Sequence, residues 1–179
     1  TMKKNLASGE ETEIFDAEAF FDKKKVYCQQ PQLSPNGKLL AITIRGTMRE
    51  TGIYNIEKKV WNKTGAGCQI TWLAGNDAVL RMNEGQGNGG TEVLKIPVDG
   101  DGKPTVSIKG LRVPKELKFM DLPGRRSHEY FPEMDQTGKW MVWCATQAGH
   151  EHDIVDYEVY IWNITTNKKK DFVRLTFHS

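Results

Sequence analysis

The chain has 179 residues, 38% of them hydrophobic, which is enough for a proper core and about the length of one domain. Lys plus Arg total 25 against 23 for Asp plus Glu, so there is no cationic excess of the kind that draws a protein onto nucleic acid or an anionic membrane. No apolar run approaches the roughly 20 residues of a membrane-spanning helix, and the start TMKKNLASGEETEIF has basic residues with no apolar segment behind them, which reads as a soluble chain whose export signal is removed or never existed.

Taken from the N-terminus, residues 1–28 hold EIFDAEAFFDKKKVYC, which reads as the strands of a partial blade or as a hairpin of its own. A repeat begins after it. PQLSPNGKLLAITIRG (31–46), ITWLAGNDAVLRMNEG (70–85) and FPEMDQTGKWMVWCAT (131–146) each give a short strand, a tight polar turn rich in Gly, Asn or Asp, and a longer strand. The turn residues tolerate the positive φ that hairpins need. Each hairpin leads to a third strand: GIYNIEKK (52–59), EVLKIPVDGDG (92–102) and VYIWNITTNKK (159–169). Aligning Ile56, Ile96 and Ile164 places Tyr54, Leu94 and Trp162 two positions earlier, the alternation of a strand. KVWNK, PTVSIK and DFVRLTF then supply a fourth strand, so the units are 29–67, 68–108 and 128–179 with a connection at 109–127. Four antiparallel strands recurring at roughly 40 residues predict an all-β fold of β-propeller blades. Helix is expected only as a turn or two over Lys115 to Asp121, fenced by Pro114 and Pro123.

Cys28, Cys68 and Cys144 form no C-x-x-C pair, which argues against a zinc ribbon or a redox dithiol and leaves buried thiols or one disulfide open. The densest polar cluster is GHEHDIVDYE (149–158), where His150, His152 and Asp153 are donor types that suit a divalent metal such as zinc, nickel or manganese, and where a solvated hairpin tip is the plain alternative. No other cofactor is expected. His128 and Glu129 open the third unit on a strand that would face the central channel. Trp140 and Trp143 have opposite parity on one strand, so one of the two is expected to point outward and mark a binding surface. VDGDGK lacks the downstream acid of a calcium loop and EGQGNGG leads into no helix, so both read as hairpin turns. No Ser sits in a G-x-S-x-G elbow.

LSPNGKLLAI (33–42), DQTGKWMVW (135–143) and WNITTNKKKDFVRLTF (162–177) together resemble the TolB-type, WD40-like propeller repeat, whose blades carry an SPDGK turn, an IY or IW strand and a closing LT strand. The resemblance spans about 29–179, with Asn36 in place of the usual Asp and LAGNDAVLRM lacking the Gly-Lys. It implies an incomplete propeller, since a closed ring needs at least about four blades. It also implies an apolar blade face completed by another chain, a missing segment or a second copy. The function implied is a non-catalytic protein-binding scaffold of a bacterial envelope assembly, periplasmic or secreted. The enzyme alternative is the propeller of a metal-dependent polysaccharide lyase or of a prolyl-peptidase-like enzyme. The closing VRLTFHS reads as a seam before a further blade.

Overall fold

A computed structural model describes residues 1–67, 69–84, 91–106, 118–120, 129–146, 157–166 and 172–177. The fold is all-β: three four-stranded antiparallel sheets succeed one another along the chain, each laid out in chain order from one edge to the other, as blades of an incomplete propeller. A hairpin of β1 (Met2–Lys4) and β2 (Glu11–Glu13) and a short helix α1 (Ala17–Phe21) precede them. Sheet 1 contains β3 (Val26–Leu33), β4 (Leu39–Gly46), β5 (Glu50–Asn55) and β6 (Val60–Gly65). Sheet 2 contains β7 (Ile70–Trp72), β8 (Ala78–Glu84), β9 (Thr91–Pro97) and β10 (Lys118–Met120). Sheet 3 contains β11 (Glu129–Met134), β12 (Trp140–Ala145), β13 (Glu158–Asn163) and β14 (Phe172–Arg174).

Equivalent hydrogen bonds fix the repeat register. Ser34 N–H donates to Leu39 O (2.8 Å), Leu73 N–H to Ala78 O (3.2 Å) and Asp135 N–H to Trp140 O (2.9 Å). At the same end of the second strands, where the third strand leaves, Ile56 N–H donates to Lys38 O (3.1 Å), Val98 N–H to Asp77 O (2.8 Å) and Ile164 N–H to Lys139 O (3.0 Å). Val98, rather than Ile96, is therefore the counterpart of Ile56 and Ile164. The offset of two residues preserves the face on which every side chain lies, so the apolar pattern matches in either alignment.

The outer strand of sheet 2 also differs from expectation. It is Lys118–Met120, inside the stretch read as connection or helix, and it pairs Lys118 with Leu94 and Met120 with Val93. The described residues of PTVSIK, 104–106, lie elsewhere: Pro104 bridges Val98, Thr105 N–H donates to Pro97 O (3.0 Å), and Val106 packs into the core between sheets 1 and 2. The N-terminal stretch read as strands contains α1, whose N-cap Asp16 accepts from the backbone N–H of Glu18 and Ala19 and whose C-cap Asp22 is left-handed.

Each sheet has a leading face toward the N-terminal side and a trailing face toward the next sheet. Leu39, Ala41 and Ile53 on the trailing face of sheet 1 pack against Val79, Leu94 and Ile96 on the leading face of sheet 2. Leu80 and Val93 on the trailing face of sheet 2 meet Met141, Trp143, Ala145, Tyr160 and Trp162 of sheet 3. At roughly 25 cal/mol per Å² of apolar area removed from water, these two seams rather than the individual hairpins hold the arc together. The VDGDGK turn keys the first seam: Gly102 has φ +81°, and a Cβ there would lie 2.5 Å from Ile53 Cγ2. Gly102→Ala is expected to lower stability by about 2 kcal/mol, from left-handed strain and displacement of Ile53, read as a shifted urea midpoint at unchanged slope.

Candidate functional site

The first strand of each sheet lies at the inner edge, and β3, β7 and β11 approach one another there. They line a cleft of about 620 Å³ that reaches up to the hairpin turns around Pro35, Ala74 and Gln136. One polar side chain from each strand converges at its wall. Gln32 pairs with Ala41, Thr71 with Leu80 and Glu133 with Val142, so the three occupy one register position in successive sheets. Gln32 Nε2 donates to both carboxylate oxygens of Glu133, at 2.9 and 3.0 Å. Thr71 Oγ1 donates to Gln32 Oε1 and lies 3.4 Å from Glu133 Oε2. Trp72 Nε1–H donates to Gln32 O at 3.1 Å, tying the second inner strand to the first.

Local sequence explains why these side chains are presented. β3 and β11 each carry a bulge at a residue with positive φ followed by proline, Gln30 (φ 50°) before Pro31 and Phe131 (φ 54°) before Pro132. A bulge bends the strand and re-aims the side chains beyond it. Phe131 N–H, freed from the ladder, donates to Gln69 Oε1 at 2.7 Å on the neighbouring sheet. The turns above the cleft are stiffened by side chains: Asn36 Oδ1 accepts from Lys38 N–H (3.1 Å), and Asp135 Oδ1 accepts from the N–H of Lys139 and Trp140 (2.8 Å each). The Thr137 hydroxyl, followed by the Trp140 N–H, holds the Asp135 carboxyl below the usual carboxylate range. Asp135 is thereby committed to its own turn. Glu133 is the acid left facing the cleft, with neutral donors as its described partners.

This arrangement can hold a polar or cationic group through Glu133. Neither histidine nor cysteine is among the described residues lining the cleft. Gln32, Thr71 and Glu133 escape a reading by motif because none of them is a rare residue type. Their signal is a polar residue followed by an apolar one just before each turn, QL, TW and EM, which gains meaning only once the repeat register is set.

His128, His150, His152 and Asp153 lie outside the described residues. Glu129 begins β11 opposite Ala145. Among the described residues no group of three or more His, Cys, Asp or Glu could hold a metal ion. Trp140 and Trp143 separate as their parity requires. Trp140 is 40% exposed on the trailing face of sheet 3, whereas Trp143 is 1% exposed. Trp143 is thus core rather than binding surface, because its face of β12 meets sheet 2. Cys28 and Cys144 are free, partly buried thiols, and burial pushes the Cys144 thiol up; Cys68 lies outside the described residues. No helix among the described residues is long and apolar enough to cross a membrane.

No protein-family model matches the chain, and no curated protein matches it. Solved structures do. TolB from Acinetobacter baumannii aligns over 97% of this chain and 36% of its own, with TM-score 0.63 and 15% identity. A prolyl endopeptidase aligns over 93% of this chain and 23% of its own, with TM-score 0.55 and 16% identity. The chain therefore spans about a third of the length of that TolB and about a quarter of that endopeptidase. At such identities the likeness is one of fold, and the fold it shows is that of a TolB-like β-propeller.

Proposed function

We propose that the chain is a non-catalytic, protein-binding segment of a larger propeller, in which the trailing face of sheet 3 packs against a further blade. The observation that carries this reading is a mismatch between register and burial. Trp140 and Val142 occupy the positions held by Leu39 and Ala41 in sheet 1 and by Ala78 and Leu80 in sheet 2. Those four are fully buried, Leu39, Ala41 and Leu80 of them in the seams with the next sheet, whereas Trp140 and Val142 are 40% and 38% exposed, with Val173 beside them exposed as well. A contiguous apolar sheet face of this kind marks an interaction surface. Supporting it, the chain aligns almost end to end with about a third of TolB, a protein with room for more blades than are present here. The cleft at Gln32, Thr71 and Glu133 is then one sector of the channel mouth and a second contact for the partner. A place in a bacterial envelope assembly rests on the same likeness and is part of the proposal.

The second reading is the propeller domain of a prolyl-peptidase-like enzyme, favoured by the likeness to the endopeptidase. It requires a catalytic domain elsewhere and the same completing blades, so both readings share the open face. The mass in solution tests it. Light scattering is expected to show a dimer, or a stable complex with a blade-supplying chain, that Val142→Lys and Trp140→Lys return to a 20.3 kDa monomer. A well-folded 20.3 kDa monomer for the unaltered chain across micromolar concentrations would overturn the claim.

A further inference from the structure

The leading face of sheet 1 carries Leu40, Ile42, Ile44 and Tyr54, all buried, although no sheet precedes it among the described residues except the small β1–β2 hairpin. What buries them is the chain's own N-terminal segment: Phe15 and Ala17, with Ile14 and Phe21 at the margin. Register makes the comparison direct. Leu40 pairs with Tyr54 as Val79 pairs with Ile96 and Met141 with Trp162. Val79 and Ile96 are covered by the trailing face of sheet 1, and Met141 and Trp162 by that of sheet 2. The segment thus occupies, for sheet 1, the place that a preceding blade's trailing face fills twice elsewhere in the molecule.

Aromatic rings do most of the covering. Phe15 lies 4.6 Å from Tyr54 between ring centroids and stacks on Trp61 at 6.0 Å and 16°, while Phe21 meets Trp61 edge-on at 5.5 Å. Such contacts contribute more than their area alone. The segment is closed on itself by the Ile14 N–H, which donates to Thr1 O (3.0 Å), and by Glu18 Oε1, which accepts from Lys25 N–H (2.6 Å). Its covalent tether is the exposed run Lys23, Lys24 and Lys25, with Lys25 at φ 59°.

We propose that residues 14–21 are an intramolecular stand-in for a preceding blade, held over the leading face of sheet 1 so that it does not accept the trailing face of a second copy. The chemistry of that excluded occupant is set within the molecule, because the same pair of faces joins sheet 1 to sheet 2 and sheet 2 to sheet 3. With the segment in place, self-association uses the open face of sheet 3 on both partners and stops at an isologous dimer. With it displaced, head-to-tail contacts open and growth continues. The inference rests on the open-face reading above.

The test uses the full chain in a Cys68→Ser, Cys144→Ser background, leaving Cys28, which is partly buried against this cluster, as the single thiol. Phe15→Arg with Phe21→Arg displaces the segment. Thiol labelling of Cys28 is expected to accelerate at least ~10-fold, and light scattering to show concentration-dependent growth beyond a dimer, which added Val142→Lys suppresses. Faster labelling with no growth would overturn the proposal, as would unchanged labelling, since the rings would then not hold the segment. Growth that Val142→Lys leaves untouched would also overturn it, being non-specific. A monomeric unaltered chain would instead count against the open-face reading, and the labelling rate separates the two failures.

Discussion

Replacing Arg174 by methionine is expected to destabilise the protein by about 3 kcal/mol, because it takes the Arg174 cation away from a buried carboxylate. The Glu158 side chain is 0% exposed at the first position of β13, and Arg174 Nη2 meets its Oε1 at 2.5 Å from the adjacent strand with 24% of its own side chain exposed. The Thr176 hydroxyl donates to the other carboxylate oxygen, so Glu158 is both paired and hydrogen-bonded. Removing only the cation leaves a charge in a site that water does not reach. The double variant Glu158→Gln with Arg174→Met is expected to recover more than half of the loss, since neither charge then remains buried. Sheet 1 holds the weaker version of the same pair: Glu50 begins β5, accepts from Trp61 Nε1–H (2.6 Å) and is met by Lys63 from β6. Lys63 is 61% exposed, so Lys63→Met is expected to cost no more than about 1 kcal/mol. Chemical denaturation of the three variants beside the unaltered chain checks the order. A loss at Arg174 no larger than at Lys63 would show that Glu158 is not held as a buried charge.

These glutamates show what was legible in the chain and what was not. The hairpins were legible because period-2 apolar patterning and Gly or Asn turns are local signals, and Gly37 and Gly138 do take the positive φ those turns require, +72° and +69°. Glu50 and Glu158, with Glu92 opposite Asn83 in the corresponding register of sheet 2, are also periodic in the sequence. An acidic residue opening a strand nonetheless reads as an exposed edge until its cross-strand cation is known. The outer strand of sheet 2 was illegible for a different reason. PTVSIK and LKFM are equally strand-like as local sequence, and only pairing with Val93 and Leu94 selects Lys118–Met120, while Val106 is drawn into the seam. The cleft residues depend on the same non-local information, since Gln32 and Glu133 are 101 positions apart and meet only because two inner strands converge. The five-residue helix α1 is too short for a 3.6-residue period to show, although Asp16 marks its start.

Trp143→Ala is expected to remove about 3–5 kcal/mol of stability, the range for truncating a large buried aromatic with incomplete collapse around the void. Its ring lies at the centre of the seam between sheets 2 and 3, stacked on Tyr160 at 5.5 Å and 21° and met edge-on by Phe172 at 5.9 Å. Met141 and Ala145 flank it on the same face of β12, so no neighbour on that strand can swing in to fill the space. Trp143→Phe should behave quite differently. The indole N–H is buried without a hydrogen-bond partner among the described residues, so replacing it with phenylalanine removes a desolvated donor along with part of the ring. The two effects oppose each other, which leaves a net change within about 1 kcal/mol. Urea denaturation, read by tryptophan fluorescence and independently by circular dichroism, would measure both variants. If alanine costs as little as phenylalanine, the seam is loosely packed. The third sheet would then be a swinging arm rather than part of a rigid arc, and its trailing face would no longer be held in register for a further blade.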